Sequence, residues 1–222
     1  MEIRIHNEGW VYFISSLILS IITFPFFPII GFFLLIISLY IFYFFRDPIR
    51  TVPDENFVVS PADGVVTFID DSISPKEFKT KEKYIKISIF LSIFDVHINR
   101  IPMSGIIKKI NYIPGKFTNA TFNKSSDENE RNFTVIENEK NESIIVVQIA
   151  GLIARRIVNN LKLNQQVIKG ERFGIIKFGS RVDLYLPTNY NILVDVGQTV
   201  VGGETIISNP NNIKQIGKSS KI

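Results

Sequence analysis

From Trp10 to Phe45 the chain runs for 36 residues without a charged side chain. Such a stretch needs apolar surroundings along its whole length, and it constrains everything attached to it. Pro25-Phe26-Phe27-Pro28 divides it, because each proline removes a helical hydrogen-bond donor. The two halves, Trp10–Phe24 and Ile29–Phe45, hold 15 and 17 residues. As helices they rise ~22 and ~26 Å, short of the ~30 Å hydrocarbon layer. Either a short two-span hairpin or a re-entrant hairpin dipping into one leaflet follows, and both return the chain to the side it came from. Arg4 precedes the stretch and Arg46 and Arg50 follow it, which sets both flanks on the cytoplasmic side. Its length, its internal prolines and the lack of a small-residue cleavage pattern argue against a removed signal peptide. Residues 1–50 therefore read as a permanent anchor in the cell membrane, with the rest of the chain in the cytoplasm.

The 222 residues leave room for one further domain behind this anchor. Mean hydropathy is +0.19, and the excess sits in the first fifty residues. Cysteine is absent, which excludes disulfides, thiol nucleophiles and thiolate-held metals or clusters. The only histidines are His6 and His97, so a His-rich metal centre is not expected, and no metal is. A net charge of +4 comes with no nucleic-acid module and no basic–aromatic pattern.

The domain reads as mainly β, in the α+β class: a compact, barrel-like antiparallel domain of short strands with short helices. Val65–Ile69, Tyr84–Phe94, Ser104–Tyr112, Phe133–Glu137 and Ile144–Ala150 are expected strands. Lys108 and Lys109 break the alternation of the third. Gly151–Lys162 fits a helix with Leu152, Ile153, Ile157, Val158 and Leu161 on one side. Asp195–Ile206 carries the Gly-x-x-Val-x-x-Gly-Glu rhythm of biotinyl- and lipoyl-carrier barrels, echoed weakly by Ser60–Ile69. Phe117–Ser143 is polar and loop-rich, and the stretch from Asn209 onward reads as a disordered tail. Arg155, Arg156, Lys162, Lys169, Arg172 and Lys177 face one acid, Glu171, either as a solvated face or as a surface for anionic lipid.

Three places hold candidate chemistry. Asp63, in the tight turn Ser60–Gly64, either caps its own backbone or supplies a carboxylate. His97 follows a buried strand and is the one imidazole beyond the anchor, so a general acid or base near neutral pH would be this residue. Gly179-Ser180 is the only Gly-Ser step in the chain, lying between the expected strands Ile175–Phe178 and Val182–Leu186. It is either a turn or a reactive serine, since glycine permits a strained, exposed peptide bond there.

The stretch RFGIIKFGSRVDLYLP at Arg172–Pro187 resembles the self-processing site of phosphatidylserine decarboxylase proenzymes of the short bacterial and archaeal type. Supporting blocks occur in the same order: FFRDP at Phe44–Pro48, SPADGVV at Ser60–Val66 and FLSIFDVHINRIPMSG at Phe90–Gly105. ENERNF follows at Glu128–Phe133, QIAGLIARRIV at Gln148–Val158 and VGQTVVGGETI at Val196–Ile206. The resemblance implies a decarboxylase domain over 51–208, cut by its own Ser180 after Gly179 into a β chain 1–179 and an α chain 180–222. Ser180 would become a pyruvoyl group, a self-derived cofactor that forms a Schiff base with phosphatidylserine and releases carbon dioxide, leaving phosphatidylethanolamine. It implies His97 as proton donor and Asp63 as the carboxylate of a Ser-His-Asp arrangement. Arg100 and Arg131 are candidates for the lipid phosphate, and a homodimer of the processed pair is expected from the family alone. The longer subclass carries a second histidine three residues after the first; here Arg100 stands in that position, so an intact triad does not carry over. A membrane-anchored serine hydrolase using Ser180, His97 and Asp63 is the competing reading. A carrier module is the other, weakened because Val200-Val201-Gly202 stands where a carrier lysine would be needed.

Overall fold

The computed structural model describes residues 4–73, 82–115, 129–151, 156–177 and 180–210. Two helices open it, α1 (Asn7–Thr23) and α2 (Pro28–Phe44). The His6 Nδ1 accepts the Glu8 amide at 3.3 Å and caps α1. Pro28 starts α2, where a missing N–H is harmless. The Ser20 hydroxyl donates to the Gly31 carbonyl at 2.8 Å and holds the helices together near the turn. At the open end Gly9 makes room for the other helix, since a Cβ there would lie 2.5 Å from Phe45 Cβ. The His6 amide donates to the Phe45 carbonyl at 2.9 Å and the Asp47 amide to Arg4 at 2.7 Å, so the hairpin's ends lie side by side. Both helices have 17 residues, and among the described residues no helix is long and apolar enough to cross a membrane. Val11, Ile21, Ile22, Phe26, Ile29 and Phe33 are exposed along the hairpin.

The strands follow as β1 (Val58–Val59), β2 (Gly64–Ile73), β3 (Tyr84–Leu91), β4 (Ile98–Arg100), β5 (Gly105–Ile113), β6 (Arg131–Glu137) and β7 (Ser143–Ala150). Then come β8 (Ile157–Asn159), β9 (Gln166–Val167), β10 (Arg172–Ile176), β11 (Ser180–Pro187), β12 (Asn191–Ile192), β13 (Thr199–Val200) and β14 (Ile206–Asn209). Eight of them form an antiparallel sheet in the order β13-β2-β3-β11-β7-β6-β5-β9, curled into a half-barrel. Two small sheets, β4-β10-β8 and β1-β14-β12, complete the domain. The mainly β architecture and the helical hairpin before it match the sequence reading.

Period-two alternation sets the two faces of β11, the central strand. Val182, Leu184 and Leu186 join Ile87, Ile89 and Leu91 of β3 in the main core, while Tyr185 packs with Tyr84, Phe133 and Val147 on the other face. The opposite face also buries Lys86, Arg181 and Asp183, with Lys86 Nζ 3.0 Å and Arg181 Nε 2.8 Å from the Asp183 carboxylate. Gln148 of β7, on the main-core face, donates to Asn99 Oδ1 of β4 at 2.9 Å, so the β4-β10-β8 sheet lies over that face. The far side of that small sheet, through Ile98, Val158 and Ile175, packs on Phe44 and Phe45 at the hairpin's base. The order of layers is thus curled sheet, core, small sheet, hairpin base.

Two expectations need correction. The helix expected over Gly151–Lys162 does not form at its described end: Ile157–Asn159 is β8, paired to β10, because β-branched Ile157 and Val158 fill the gap between core and hairpin base. Asn209 is no part of a tail but closes β14, opposite Asn191; residues 211–222 lie outside the described residues. Lys108 and Lys109 stay in β5, both exposed, across a register shift between Ile107 and Lys109 that lets two successive side chains face out.

Candidate active site

Ser180 opens β11 and stands in register with Leu91 of β3 on one side and Ala150 of β7 on the other. Leu91 and Ala150 belong to the main core, so Ser180 looks into the space under the small sheet. The residue is fully buried, and its hydroxyl has no hydrogen-bond partner among the described residues. A buried, unpartnered hydroxyl is costly and rare, and it marks a group held for chemistry or for a missing neighbour. Gly179, the residue before it, lies outside the described residues.

The same end of the sheet gathers the other candidates. Val65 pairs with Phe90, which brings Gly64 and Asp63 beside the end of β3. Gly64 has φ +148°, and a Cβ there would sit 2.1 Å from the Phe90 carbonyl, so only glycine fits this approach. Asp63 accepts hydrogen bonds from Arg50 Nη2 at 2.7 Å and from the Gly202 amide at 2.8 Å. Burial nevertheless raises its pKa, against the pull of Arg50. Its carboxylate does not bond to His97.

His97 sits just before β4, with its backbone carbonyl accepting the Ile176 amide at the exit of β10, the strand that leads toward Ser180. The ring is fully buried, with Nδ1 3.0 Å from the Asp95 carbonyl and its face 4.3 Å from the Phe44 ring, centroid to centroid. Burial pushes its pKa down to about 4, against the raising influence of Asp95. Asn99, two residues on, is also fully buried, and its side-chain N–H2 has no partner among the described residues. It lies over Gln148, whose register partner Val182 is the next residue after Ser180 on the same face.

The two arginines named from sequence lie on different sides of the sheet, and the Arg100 amide donates to the Pro61 carbonyl of the Asp63 turn at 2.9 Å. Arg100 is buried, with Nη1 donating to the Gly170 carbonyl at 2.9 Å and Nη2 to the Pro48 carbonyl at 2.9 Å. Asp47 lies 3.4 Å away and also takes Arg172 at 2.6 Å, so these cations clamp the chain just after the hairpin. Arg131 is opposite Ile149, on the face away from Ser180, and its guanidinium lies 5.8 Å from the Phe133 ring centroid. Of the basic run, Lys177 pairs with Glu8 of α1 at 2.7 Å, Lys169 bonds the Glu55 carbonyl, and Arg155 lies outside the described residues.

Arg50, Asn99, Phe44 and the Glu8–Lys177 pair were missed as site residues. Asn99 stands only two places after His97, and that nearness in sequence was a usable signal. The others are contacts between segments far apart in sequence. Among the described residues no group of three His, Asp or Glu side chains could hold a metal.

Comparison with known proteins gives a consistent picture. The family model described as phosphatidylserine decarboxylase matches residues 37–208. The chain is 53% identical over 207 residues to a phosphatidylserine decarboxylase proenzyme of Ehrlichia chaffeensis, covering 92% of this chain and 91% of that one. It is 50% identical over 211 residues to that of Wolbachia pipientis (94% and 92% covered). With that of Pelagibacter ubique it shares 47% identity over 207 residues (92% and 96% covered).

Proposed function

The chain belongs to the phosphatidylserine decarboxylase family, and from that premise we propose that Ser180 first cuts the chain and then becomes its cofactor. The enzyme is a carboxy-lyase that decarboxylates phosphatidylserine. In our reading the Ser180 hydroxyl attacks the Gly179 carbonyl, turning the peptide into an ester. Elimination across Ser180 releases the carboxylate of chain 1–179 and leaves a dehydroalanine, whose hydrolysis with loss of ammonia gives the pyruvoyl group on chain 180–222. The observation that carries this is the fully buried Ser180 hydroxyl with no hydrogen-bond partner among the described residues, in register between two core strands. When present, the pyruvoyl ketone supplies an electrophile and electron sink, as a bound cofactor would.

The chain's own residues do the rest. His97, neutral in its buried site, is suited to take the Ser180 proton and later to return one to carbon. Asn99 offers a buried N–H, without a partner among the described residues, to the oxyanion that forms at the Gly179 carbonyl. Asp63 and Arg50 hold the end of β2 beside β3, so Asp63 supports the site's shape and charge rather than orienting the imidazole. The hairpin serves as the attachment to the cell membrane, with the decarboxylase domain on the cytoplasmic side, and the processed pair of chains is the unit that could form a homodimer. A lipid attachment suits a substrate whose acyl chains stay in the bilayer.

Intact mass of the purified protein beside a Ser180→Ala variant tests the reading. Chains of 179 and 43 residues are expected, the smaller with a blocked, carbonyl-reactive start, and an uncut chain for the variant. An uncut 25.4 kDa wild type with full activity on lipid overturns self-processing and favours a serine hydrolase.

A further inference from the structure

The turn Ser92–Asp95 joins β3 to the segment bearing His97, and its tip presents Ile93 and Phe94, 40% and 62% exposed. Two exposed apolar residues alone mean little, but most of the backbone beneath them is tied within the protein. The Ser92 amide donates to the Asp95 carboxylate at 2.7 Å, the Phe94 amide to Ser92 Oγ at 3.3 Å, and the Asp95 amide to the Ser92 carbonyl at 3.0 Å. From α2 the Tyr40 hydroxyl donates to the Ile93 carbonyl at 2.9 Å. The Tyr43 hydroxyl donates to the Phe94 carbonyl at 3.3 Å, and Arg46 Nη2 to the same oxygen at 2.7 Å. An ordinary surface loop leaves such carbonyls to water. A loop that enters a water-poor layer must satisfy them within the protein.

The donors sit on the last turns of α2 and just past it, and Trp10 and Tyr12 lie near the start of α1. Tyrosine, tryptophan and arginine at the ends of an apolar hairpin are the residues that settle at the boundary between acyl chains and headgroups. We propose that Ile93 and Phe94 form a second lipid contact beside the hairpin, seating the turn that carries His97 in the interfacial layer of the bilayer that presents the phospholipid. This rests on the reading of the hairpin as lying in lipid. A hairpin alone leaves the domain free to tilt and turn about it. A second contact on the His97 turn removes that freedom and holds the site at headgroup height.

The sequence holds one tryptophan, Trp10, so the full chain can be probed in phosphatidylcholine–phosphatidylserine vesicles with lipids brominated at known acyl depths. Wild-type Trp10 reports on the hairpin; a Trp10→Phe, Phe94→Trp variant reports on the turn. Both are expected to be quenched, the turn most by bromine nearest the headgroups. Quenching of Trp10 without quenching at position 94 overturns the second contact and leaves the hairpin reading intact. Quenching of neither overturns both. If position 94 is shielded from an aqueous quencher equally with and without vesicles, in a dimer that Phe94→Ser dissociates, the tip belongs to a second copy and the proposal fails. An Ile93→Ser, Phe94→Ser variant is expected to raise KM for vesicle-borne phosphatidylserine about tenfold, with kcat less affected.

Discussion

A buried imidazole that is neutral near pH 7 can accept a proton before it can give one, and this orders the roles open to His97. Its folded pKa lies near 4 and its unfolded value near 6.5, so the unfolded chain binds the proton first as pH falls. Stability is therefore full above the unfolded value and is lost between about pH 6.5 and 4. Between pH 7 and 4.5 the loss from this group is on the order of 2–3 kcal/mol. Urea midpoints in detergent on the uncut Ser180→Ala protein are expected to show it, and His97→Gln to flatten it. An equally steep fall in the variant would assign the effect to other groups. Asn99 gives a second prediction at this scale: Asn99→Ala is expected to slow appearance of the 43-residue chain by about 10²–10³-fold if its N–H meets the oxyanion. Asn99→Asp, isosteric but without a donor, should be no better. Ser180 and His97 could be picked out as candidates because each is singular of its type in its setting. The Asp63–Arg50 and His97–Phe44 contacts could not, since nothing local marks residues 13 and 53 positions apart as neighbours.

At the scale of elements, the strands read from sequence were those whose alternation matches one buried face, β3 and β11 above all. The strand β8 was misread because Ile157, Val158 and Leu161 also fit a helical stripe; pairing to β10 decided for strand. What no periodicity could show is the tie between α1 and the residue just after β10. Glu8 holds Lys177, whose ammonium also lies 5.2 Å from the Tyr12 ring, and whose amide donates to the Arg156 carbonyl at 3.3 Å. Ser180, three residues on, is fixed by two neighbouring strands, so the proposed cleavage point follows closely on a held residue. Because the Glu8 side chain is 41% exposed, the ion pair itself adds little stability. Its effect is expected on processing. Glu8→Lys and Lys177→Glu should each slow self-cleavage several-fold on a denaturing gel, and the double exchange should recover much of the rate. Equal rates in all four proteins would leave the tie without a role.

Taken whole, the molecule builds the hairpin proposed as its anchor into its architecture. If the hairpin were only a tether, a chain starting at residue 46 would fold as well as the full one. The packing argues otherwise, because Phe44 and Phe45 are fully buried against Val96, Ile98 and Ile175, and the last turns of α2 support the His97 loop. Burying two such rings contributes about 3–6 kcal/mol, and removing them opens the small sheet's outer side to water. For a chain of this size the loss amounts to a fall in Tm on the order of 10 °C. Comparing uncut Ser180→Ala proteins with and without residues 1–45, both in detergent, is the direct measurement. The truncated chain is expected to melt earlier and, with Ser180 restored, to cut itself more slowly, since His97 loses the ring that covers it. An unchanged Tm and an unchanged cutting rate would return the hairpin to the status of a tether. The lower Tm would instead mean that this fold is complete only with its hairpin attached, so that the proposed membrane attachment and assembly of the candidate site would be one event.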